Sequence, residues 1–149
     1  MSTSPHIPVM LNEVLQTLQP KAGETYVDGT FGAGGYSRAI LDTADCTVIG
    51  IDRDETALAM AESWKDKYGE RLKLVHSNFA NAQNCLTDIG VEKVDAVILD
   101  LGVSSMQLDQ EARGFSFRFD GPLDMRMDRS SGQTAADLVN TMKEDDLAN

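Results

Sequence analysis

The chain has 149 residues, of which 42% are hydrophobic, and a formal net charge of −11. This length and composition are typical of a globular domain with a core, and the acidic balance argues against indiscriminate binding to nucleic acid, because phosphate contacts need Lys and Arg. No apolar run approaches the roughly 18 residues of a membrane span, and the first twenty residues lack the apolar segment of a secretory signal. We therefore expect a cytoplasmic protein without a metal site, in which Cys46 and Cys85 are buried small hydrophobic residues.

Hydrophobic periodicity predicts alternating helices and strands as far as residue 100. Helices are predicted over 10–18, from near Tyr36, over 57–68 with Gly69 as the terminating residue, and over 82–89 closed by Gly90; strands are predicted over 25–28, 47–51, 72–76 and 94–99. The run 96–99 is apolar without alternation, which is typical of a strand covered on both faces. Strict alternation of strands and helices predicts an α/β fold with a doubly wound, Rossmann-like parallel sheet.

The pattern changes after Asp100. Residues 101–132 contain five glycines or prolines and no clear period, which predicts an ordered loop or insertion. Thr134 and Asp137 are spaced as a capping box for a helix, and Thr141 and Glu144 repeat that spacing just before the last residue. We therefore expect a fragment that consists of the first part of a nucleotide-binding domain (1–102) and a loop with the start of a helical insertion (103–149).

A glycine-rich segment, D-G-T-F-G-A-G-G at 28–35, follows the first predicted strand and precedes a helix. Such a loop lets a ligand approach the backbone closely, although an ordinary tight turn is the alternative. Ser37 stands where the dinucleotide motif has its third glycine, so the loop fits the D-x-G-x-G-x-G pattern of S-adenosylmethionine enzymes better, with Thr30 replacing the first glycine. We expect the space beside Gly34 to receive the ligand.

Acidic side chains end two of the predicted strands. Asp52 follows Asp28 by 24 residues, where an acid can accept hydrogen bonds from both ribose hydroxyls. A helix-terminal role for Asp52 is less favoured, because Asp54 is the expected N-cap. Asp100 ends the fourth strand at the ligand-binding edge, but it is equally compatible with an Asp that caps the following turn. Asp28, the glycine loop and Asp52 together favour an adenosine ligand.

Two aromatic features remain open at this point. Phe79, with Asn78, follows the third strand and could pack on an adenine ring, or it could be an ordinary core residue. The segment 114–120 interleaves three phenylalanines with arginine, and such side chains can stack on unpaired RNA bases. Four of the seven arginines of the chain lie in this region: Arg113, Arg118, Arg126 and Arg129. We favour RNA contact for the arginines and a β-ribbon with one buried face for Phe115, Phe117 and Phe119.

Long motifs at 6–14, 27–41, 51–54, 99–109 and 113–128 resemble the ribosomal RNA small-subunit methyltransferase H (MraW) family. The two last motifs, L-D-L-G-V-S-S-M-Q-L-D and R-G-F-S-F-R-F-D-G-P-L-D-M-R-M-D, are long and unusual. The resemblance implies an S-adenosyl-L-methionine-dependent enzyme that makes N4-methylcytosine in small-subunit ribosomal RNA. By position it implies cofactor contacts at Gly34, Gly35, Tyr36, Asp52, Phe79, Asp100 and Gln107. Two departures are that the family often has His at the position of Tyr36, and that its members are considerably longer than this chain.

The resemblance leaves the catalytic residue open, because Asp100 is followed by Leu101 and Gly102 rather than by the Pro-Pro-aromatic sequence common in amino methyltransferases. The competing functions are a cofactor-binding module without catalysis and a nucleotide-dependent oxidoreductase, the latter disfavoured by Ser37. The expected partner is small-subunit ribosomal RNA or the subunit, with no membrane. We also expect the chain to be marginally stable and either to self-associate through the fourth strand or to need a partner chain that supplies strands, because the outer edge of this strand has no partner in this sequence.

Overall fold

The computed structural model describes residues 8–148, so the first two residues of the motif at 6–14, and Asn149, lie outside the described residues. The chain divides into two compact units between Leu101 and Gly102. The first unit contains α1 (Leu11–Leu18), β1 (Thr25–Asp28), α2 (Gly35–Thr43), β2 (Thr47–Asp52), α3 (Glu55–Ala61), β3 (Leu72–His76), α4 (Ala82–Asp88) and β4 (Ala96–Ile98). In the part of the chain described, no helix is long and apolar enough to cross a membrane.

The four strands form one parallel sheet in the order β3-β2-β1-β4. Val27 of β1 is in register with Ile49 of β2 on one side and with Val97 of β4 on the other. The predicted parallel sheet is therefore confirmed, with its first two strands in the interior. Since all strands run the same way, their carboxyl ends, including Asp28 and Asp52, lie along one edge of the sheet.

The helices cover both faces of this sheet. On one face Tyr26 and Val48 pack with Ile40 of α2 and Ala61 of α3, and α1 adds partly buried side chains. On the opposite face Val27, Ile49 and Ile51 pack with Cys85 of α4. Cys46 and Cys85 are both buried free thiols, as predicted. Burial of the two inner strands from both sides is the arrangement expected for a doubly wound sheet.

The predicted continuous helix over 57–68 is wrong in its second half. Helix α3 ends at Ala61, and two single-turn 3₁₀ helices, Lys65–Lys67 and Gly69–Arg71, continue to β3. Tyr68 remains buried with Ala61, but Trp64 turns to stack on Phe31, with ring centroids 6.0 Å apart. The periodicity of this segment favours an unbroken helix, but the helix ends where Trp64 packs against another part of the chain.

The fourth strand is shorter and more exposed than predicted. It extends over Ala96–Ile98 rather than 94–99, and only one of its faces is buried: Ile98 joins the core, whereas the Val97 side chain is 55% exposed. The expectation of burial on both faces is wrong here because the apolar cluster beneath α4 is centred on Val27, Ile49 and Ile51. Among residues 8–148, β4 pairs only with β1, so its other edge is free, and self-association through that edge stays a prediction.

The second unit has more regular structure than the predicted loop. It contains α5 (Ser105–Asp109), a 3₁₀ turn over Glu111–Arg113, α6 (Ala135–Thr141) and α7 (Glu144–Ala148). The capping box of Thr134 and Asp137 is confirmed. The second predicted box is wrong, because Thr141 is the last residue of α6 and donates its hydroxyl hydrogen bond to the Asp137 carbonyl at 2.7 Å. The predicted functional division at 102/103 stays a prediction.

Candidate functional site

The glycine-rich loop lies at the carboxyl edge of the sheet and is tied to the strands on both sides of β1. The Gly29 N–H donates to the Ile98 carbonyl of β4 at 2.9 Å, and the Phe31 N–H donates to the Ile51 carbonyl of β2 at 3.1 Å. The loop then leads directly into α2, whose first residue is Gly35. Its backbone is therefore held in place by the sheet, at the position where doubly wound folds bind their ligands.

The space beside the Cα of Gly34 is filled by other side chains of the protein and is not open to a ligand. Its φ is +75°, which favours glycine, and a Cβ at this position would lie 2.5 Å from the Trp64 ring and 2.8 Å from the Phe31 ring. The expectation that the ligand fills the space beside Gly34 is therefore wrong, because Trp64 fills it. At Gly32, by contrast, the nearest atom to such a Cβ is the Thr30 carbonyl oxygen at 3.8 Å.

Asp52 connects the end of β2 to this loop. One carboxylate oxygen accepts a hydrogen bond from the Gly32 N–H at 2.7 Å, and the other accepts from the Asp54 N–H at 2.9 Å. Asp54 caps α3 by accepting from the Thr56 N–H at 3.0 Å, as predicted. A carboxylate can accept about four hydrogen bonds. Asp52 thus has the capacity to hold the loop and to accept from ribose hydroxyls as well, although the ribose contact stays a prediction.

Asp28 is fully buried beneath the loop. The Ser37 hydroxyl donates a hydrogen bond to it at 2.7 Å, and the Thr30 N–H donates to its other oxygen at 3.3 Å. Burial raises the pKa of Asp28 to about 6; the two hydrogen bonds oppose that rise, and the Asp52 and Asp100 carboxylates add to it. The sequence analysis considered Ser37 only as the residue that replaces the third glycine of the dinucleotide motif, and it did not predict this hydrogen bond. The hydroxyl group on the first turn of the helix after the loop could have indicated it.

Asp100 is attached to the loop through its backbone. Its N–H donates to the Thr30 hydroxyl oxygen at 2.7 Å, so the residue that replaces the first glycine of the motif links the loop to the segment after β4. Tyr36 is buried, which raises the pKa of its phenol, and the nearby carboxylate of Asp100 adds to that rise. The predicted residues Tyr36, Asp52 and Asp100 are thus brought around one loop.

Phe79 lies beside the loop and is not a core residue. It opens a 3₁₀ turn after β3, its side chain is 41% exposed, and a Cβ on Gly29 would approach it to 3.1 Å. The alternative of an ordinary core phenylalanine is therefore wrong. Asn78 caps the turn by accepting from the Ala80 N–H at 3.0 Å. An adenine contact at Phe79 stays a prediction, with the ring exposed as such a contact requires.

Gln107 lies in the second unit, where it is buried. Its side-chain oxygen accepts from the Ser104 N–H at 3.0 Å, and its own N–H donates to the Ser104 hydroxyl oxygen at 3.2 Å. The pair is a capping box at the start of α5. The spacing S-x-x-Q predicts such a box, and sequence reasoning overlooked it. The cofactor contact that the resemblance implies for Gln107 stays a prediction.

The predicted β-ribbon with buried phenylalanines is wrong. Residues 114–120 contain no strand, and the Phe117 and Phe119 side chains are exposed. Two arginines of the region stabilise the unit itself: Arg113 is buried and donates to the carbonyls of residues 126 and 127, and Arg126 forms a bidentate pair with Asp124. Arg118 and Arg129 have exposed side chains, although the Arg129 guanidinium also lies 3.7 Å from the Asp124 carboxylate.

The site around the loop is anionic. The charged groups that act most strongly on Asp28 are the carboxylates of Asp52 and Asp100, and both oppose its ionisation. No group of three or more metal-ligating side chains within residues 8–148 is arranged to hold a metal ion. Three carboxylates around a glycine loop create a negative potential that attracts a cationic ligand and repels phosphate groups.

Residues 3–149 match the model of the MraW methylase family. The Ribosomal RNA small subunit methyltransferase H of Parvibaculum lavamentivorans is 55% identical over 147 residues, which cover 99% of this chain and 43% of that protein. The chain spans less than half the length of the curated relatives it matches, from 43% to 48% of four of them.

Two solved structures confirm the predicted Rossmann-like fold. The C-terminal domain of precorrin-6Y C5,15-methyltransferase from Rhodobacter capsulatus has a TM-score of 0.53 at 24% identity, over 69% of this chain and 55% of that one. A Streptococcus mutans protein in complex with SAH has a TM-score of 0.53 at 17% identity, over 67% of this chain and 56% of that one. At these identities the similarity concerns the fold alone.

Proposed function

The chain belongs to the MraW methylase family, and from this membership we propose that it forms the S-adenosylmethionine-binding part of an enzyme that methylates small-subunit ribosomal RNA. The observation that supports this most directly is the ring of carboxylates, Asp28, Asp52 and Asp100, around the glycine loop. S-adenosylmethionine carries a positive sulfonium and supplies the methyl group when bound. An anionic site suits that cation.

The same observation disfavours a nucleotide-dependent oxidoreductase. A dinucleotide presents a negatively charged pyrophosphate to the glycine loop, where backbone N–H groups at the helix N-terminus receive it. Here the Gly32 N–H donates to the Asp52 carboxylate, and the buried Asp28 lies beneath the same loop. A pyrophosphate at this position would meet two acidic side chains.

The residues around the loop suggest how the ligand is held. Asp52 accepts hydrogen bonds from the ribose hydroxyls, and the exposed ring of Phe79 packs on the adenine. The backbone at Gly34, Gly35 and Tyr36 receives the methionine end, as the family resemblance implies. Gln107 completes the set by resemblance alone.

The proposed acceptor is the exocyclic N4 amine of a cytosine, which must be unpaired or flipped to enter such a site. Methyl transfer is an in-line displacement, so alignment and electrostatics are the main contributions of the protein. A carboxylate that accepts a hydrogen bond from the amine localises its lone pair. Asp100 is suited to this role because its backbone N–H donates to the Thr30 hydroxyl oxygen, which fixes the residue beside the glycine loop.

Exposed side chains of the second unit suggest where RNA binds. Phe117, Phe119 and Arg118 follow one another at a turn and are all open to solvent. Aromatic rings and guanidinium groups stack on unpaired bases. We assign RNA contact to this turn and to Arg129, and a cytoplasmic location follows from a ribosomal substrate.

The test is a calorimetric titration of the chain with S-adenosylhomocysteine and, separately, with NAD. We expect binding of the first and none of the second; the reverse result would show that the cofactor is a dinucleotide. A labelled-methyl assay on small ribosomal subunits then separates an active enzyme from a cofactor-binding module. Because the chain spans less than half of its relatives, we expect no detectable transfer by the 149-residue chain alone.

A further inference from the structure

Asp28 is a buried carboxylate whose hydrogen-bond partners are neutral. Its side chain has no exposed surface, and it accepts from the Ser37 hydroxyl and from the Thr30 N–H. Ser37 is itself fully buried, so water does not substitute for its hydroxyl. Two neutral donors orient a carboxylate without cancelling its charge.

The titratable groups that face Asp28 supply no positive charge that would offset the negative charge of its carboxylate. Asp52 at the end of β2 and Asp100 after β4 are carboxylates, and Tyr36 on α2 is a phenol that contributes no positive charge. A buried anion among acids is unfavourable for the fold unless a cation binds nearby. An asparagine would make comparable hydrogen bonds at this position without the charge, so the charge itself needs an explanation.

We infer that Asp28, oriented by Ser37, is a specificity-determining residue that makes the site prefer the positively charged methyl donor to the neutral product left after transfer. This inference rests on the proposed function. Asp28 acts through the field of its charge in a site of low dielectric, and Ser37 is a positioning residue that acts through Asp28. The preference assists product release, because the thioether of S-adenosylhomocysteine lacks the charge that the site attracts.

The preference for the charged methyl donor should depend on pH, because burial raises the pKa of Asp28 to about 6. As the pH falls from 7.5 to 5, Asp28 takes up a proton and its charge disappears. We expect the ratio of the affinity for S-adenosylmethionine to that for S-adenosylhomocysteine, measured by calorimetry on the whole chain, to fall about 10-fold over this interval. The ratio isolates the sulfonium charge, since the two ligands share the adenosine and the amino acid end.

Two variants and a control assign this effect to the named residues. Asp28→Asn keeps the shape of the side chain and should lower the ratio to its acidic value at every pH. Ser37→Ala removes a hydrogen bond to the carboxylate and should move the midpoint of the change to higher pH. Asp45→Asn alters an acid whose side chain is 85% exposed and should leave both the ratio and its midpoint unchanged.

The outcomes separate this inference from the proposed function. If neither ligand binds the wild-type chain, the proposed function fails and the inference falls with it. If both bind with a ratio that is independent of pH, or if Asp28→Asn keeps the wild-type pH dependence, only the inference is overturned. Should Asp28→Asn fail to fold, the Asp28 carboxyl carbon can be followed by NMR in the wild-type chain, and a midpoint that differs from that of the affinity ratio would equally overturn it.

Discussion

The Gly32 N–H donates a hydrogen bond of 2.7 Å to the Asp52 carboxylate, so the end of β2 holds the glycine loop. The other oxygen of Asp52 accepts from the Asp54 N–H at the start of α3. Asp52 therefore has a structural role in addition to the ribose contact that we propose. An asparagine keeps one acceptor oxygen but replaces the other with a donor amide, so it can preserve only one of these two backbone hydrogen bonds.

Asp52→Ala should weaken S-adenosylhomocysteine binding by about 1–3 kcal/mol, since ribose hydroxyls lose their acceptor and the loop loses its attachment. Calorimetric titration measures this loss. Asp52→Asn is the matched variant and should retain part of the affinity. Unchanged binding in Asp52→Ala would remove Asp52 from the ligand site.

Gly34→Val should destabilise the first unit by about 3 kcal/mol or more, because the new side chain meets the Trp64 and Phe31 rings and the φ of +75° is unfavourable for valine. Urea unfolding followed by the fluorescence of Trp64, the only tryptophan, measures the free energy of unfolding. Gly32→Ala is the control: its φ is also positive, but its surroundings are open, so a loss of about 1 kcal/mol is expected. Equal losses in the two variants would contradict the packing role of Trp64.

Stability of the first unit should rise as the pH falls from 7 to 5. The pKa of Asp28 is raised from 3.8 to about 6, so the folded state binds the proton more tightly than the unfolded state does. The favourable contribution therefore begins as the pH falls through 6 and is complete below 3.8. It amounts to about 1 kcal/mol between pH 7 and pH 5.

Asp28→Asn checks the assignment of that pH dependence. The difference between the free energies of unfolding at pH 7 and pH 5 should shrink by about 1 kcal/mol in the variant. Below pH 4 the second unit should instead lose stability, because hydrogen bonds from Arg126 lower the pKa of Asp124 in that unit to about 2. A wild-type chain that loses stability between pH 7 and pH 5 would contradict the prediction.

The free edge of β4 should make the chain self-associate. Within the described part of the chain, β4 pairs only with β1, and Val97 exposes an apolar side chain on that strand. Val97→Lys places a charge on the strand and should shift the chain towards monomer in sedimentation equilibrium. Val139→Lys, at an exposed position on α6, is the control and should leave the association unchanged. A wild-type chain that stays monomeric at high concentration would contradict the prediction.

Local sequence signals determined much of this fold. The bounds of β1 and β3, the loop between β1 and α2, the Asp54 cap and the Thr134–Asp137 box all follow from patterns within a few residues. Such features depend on backbone preferences and on hydrogen bonds between near neighbours, which a short stretch of sequence encodes directly. The placement of Asp52 at a strand end belongs to the same group.

Contacts between distant segments were decided by the tertiary structure alone. Trp64 occupies the space beside Gly34, and the Thr30 hydroxyl accepts from Asp100, 70 residues away. Burial of β4 on one face instead of two depends on where α4 lies over the sheet, which the apolar run 96–99 does not encode. The electrostatic environment of Asp28 likewise depends on the tertiary structure, because β1, β2 and β4 bring three carboxylates around one loop. Electrostatic interactions depend on distances in space and not on separation along the chain.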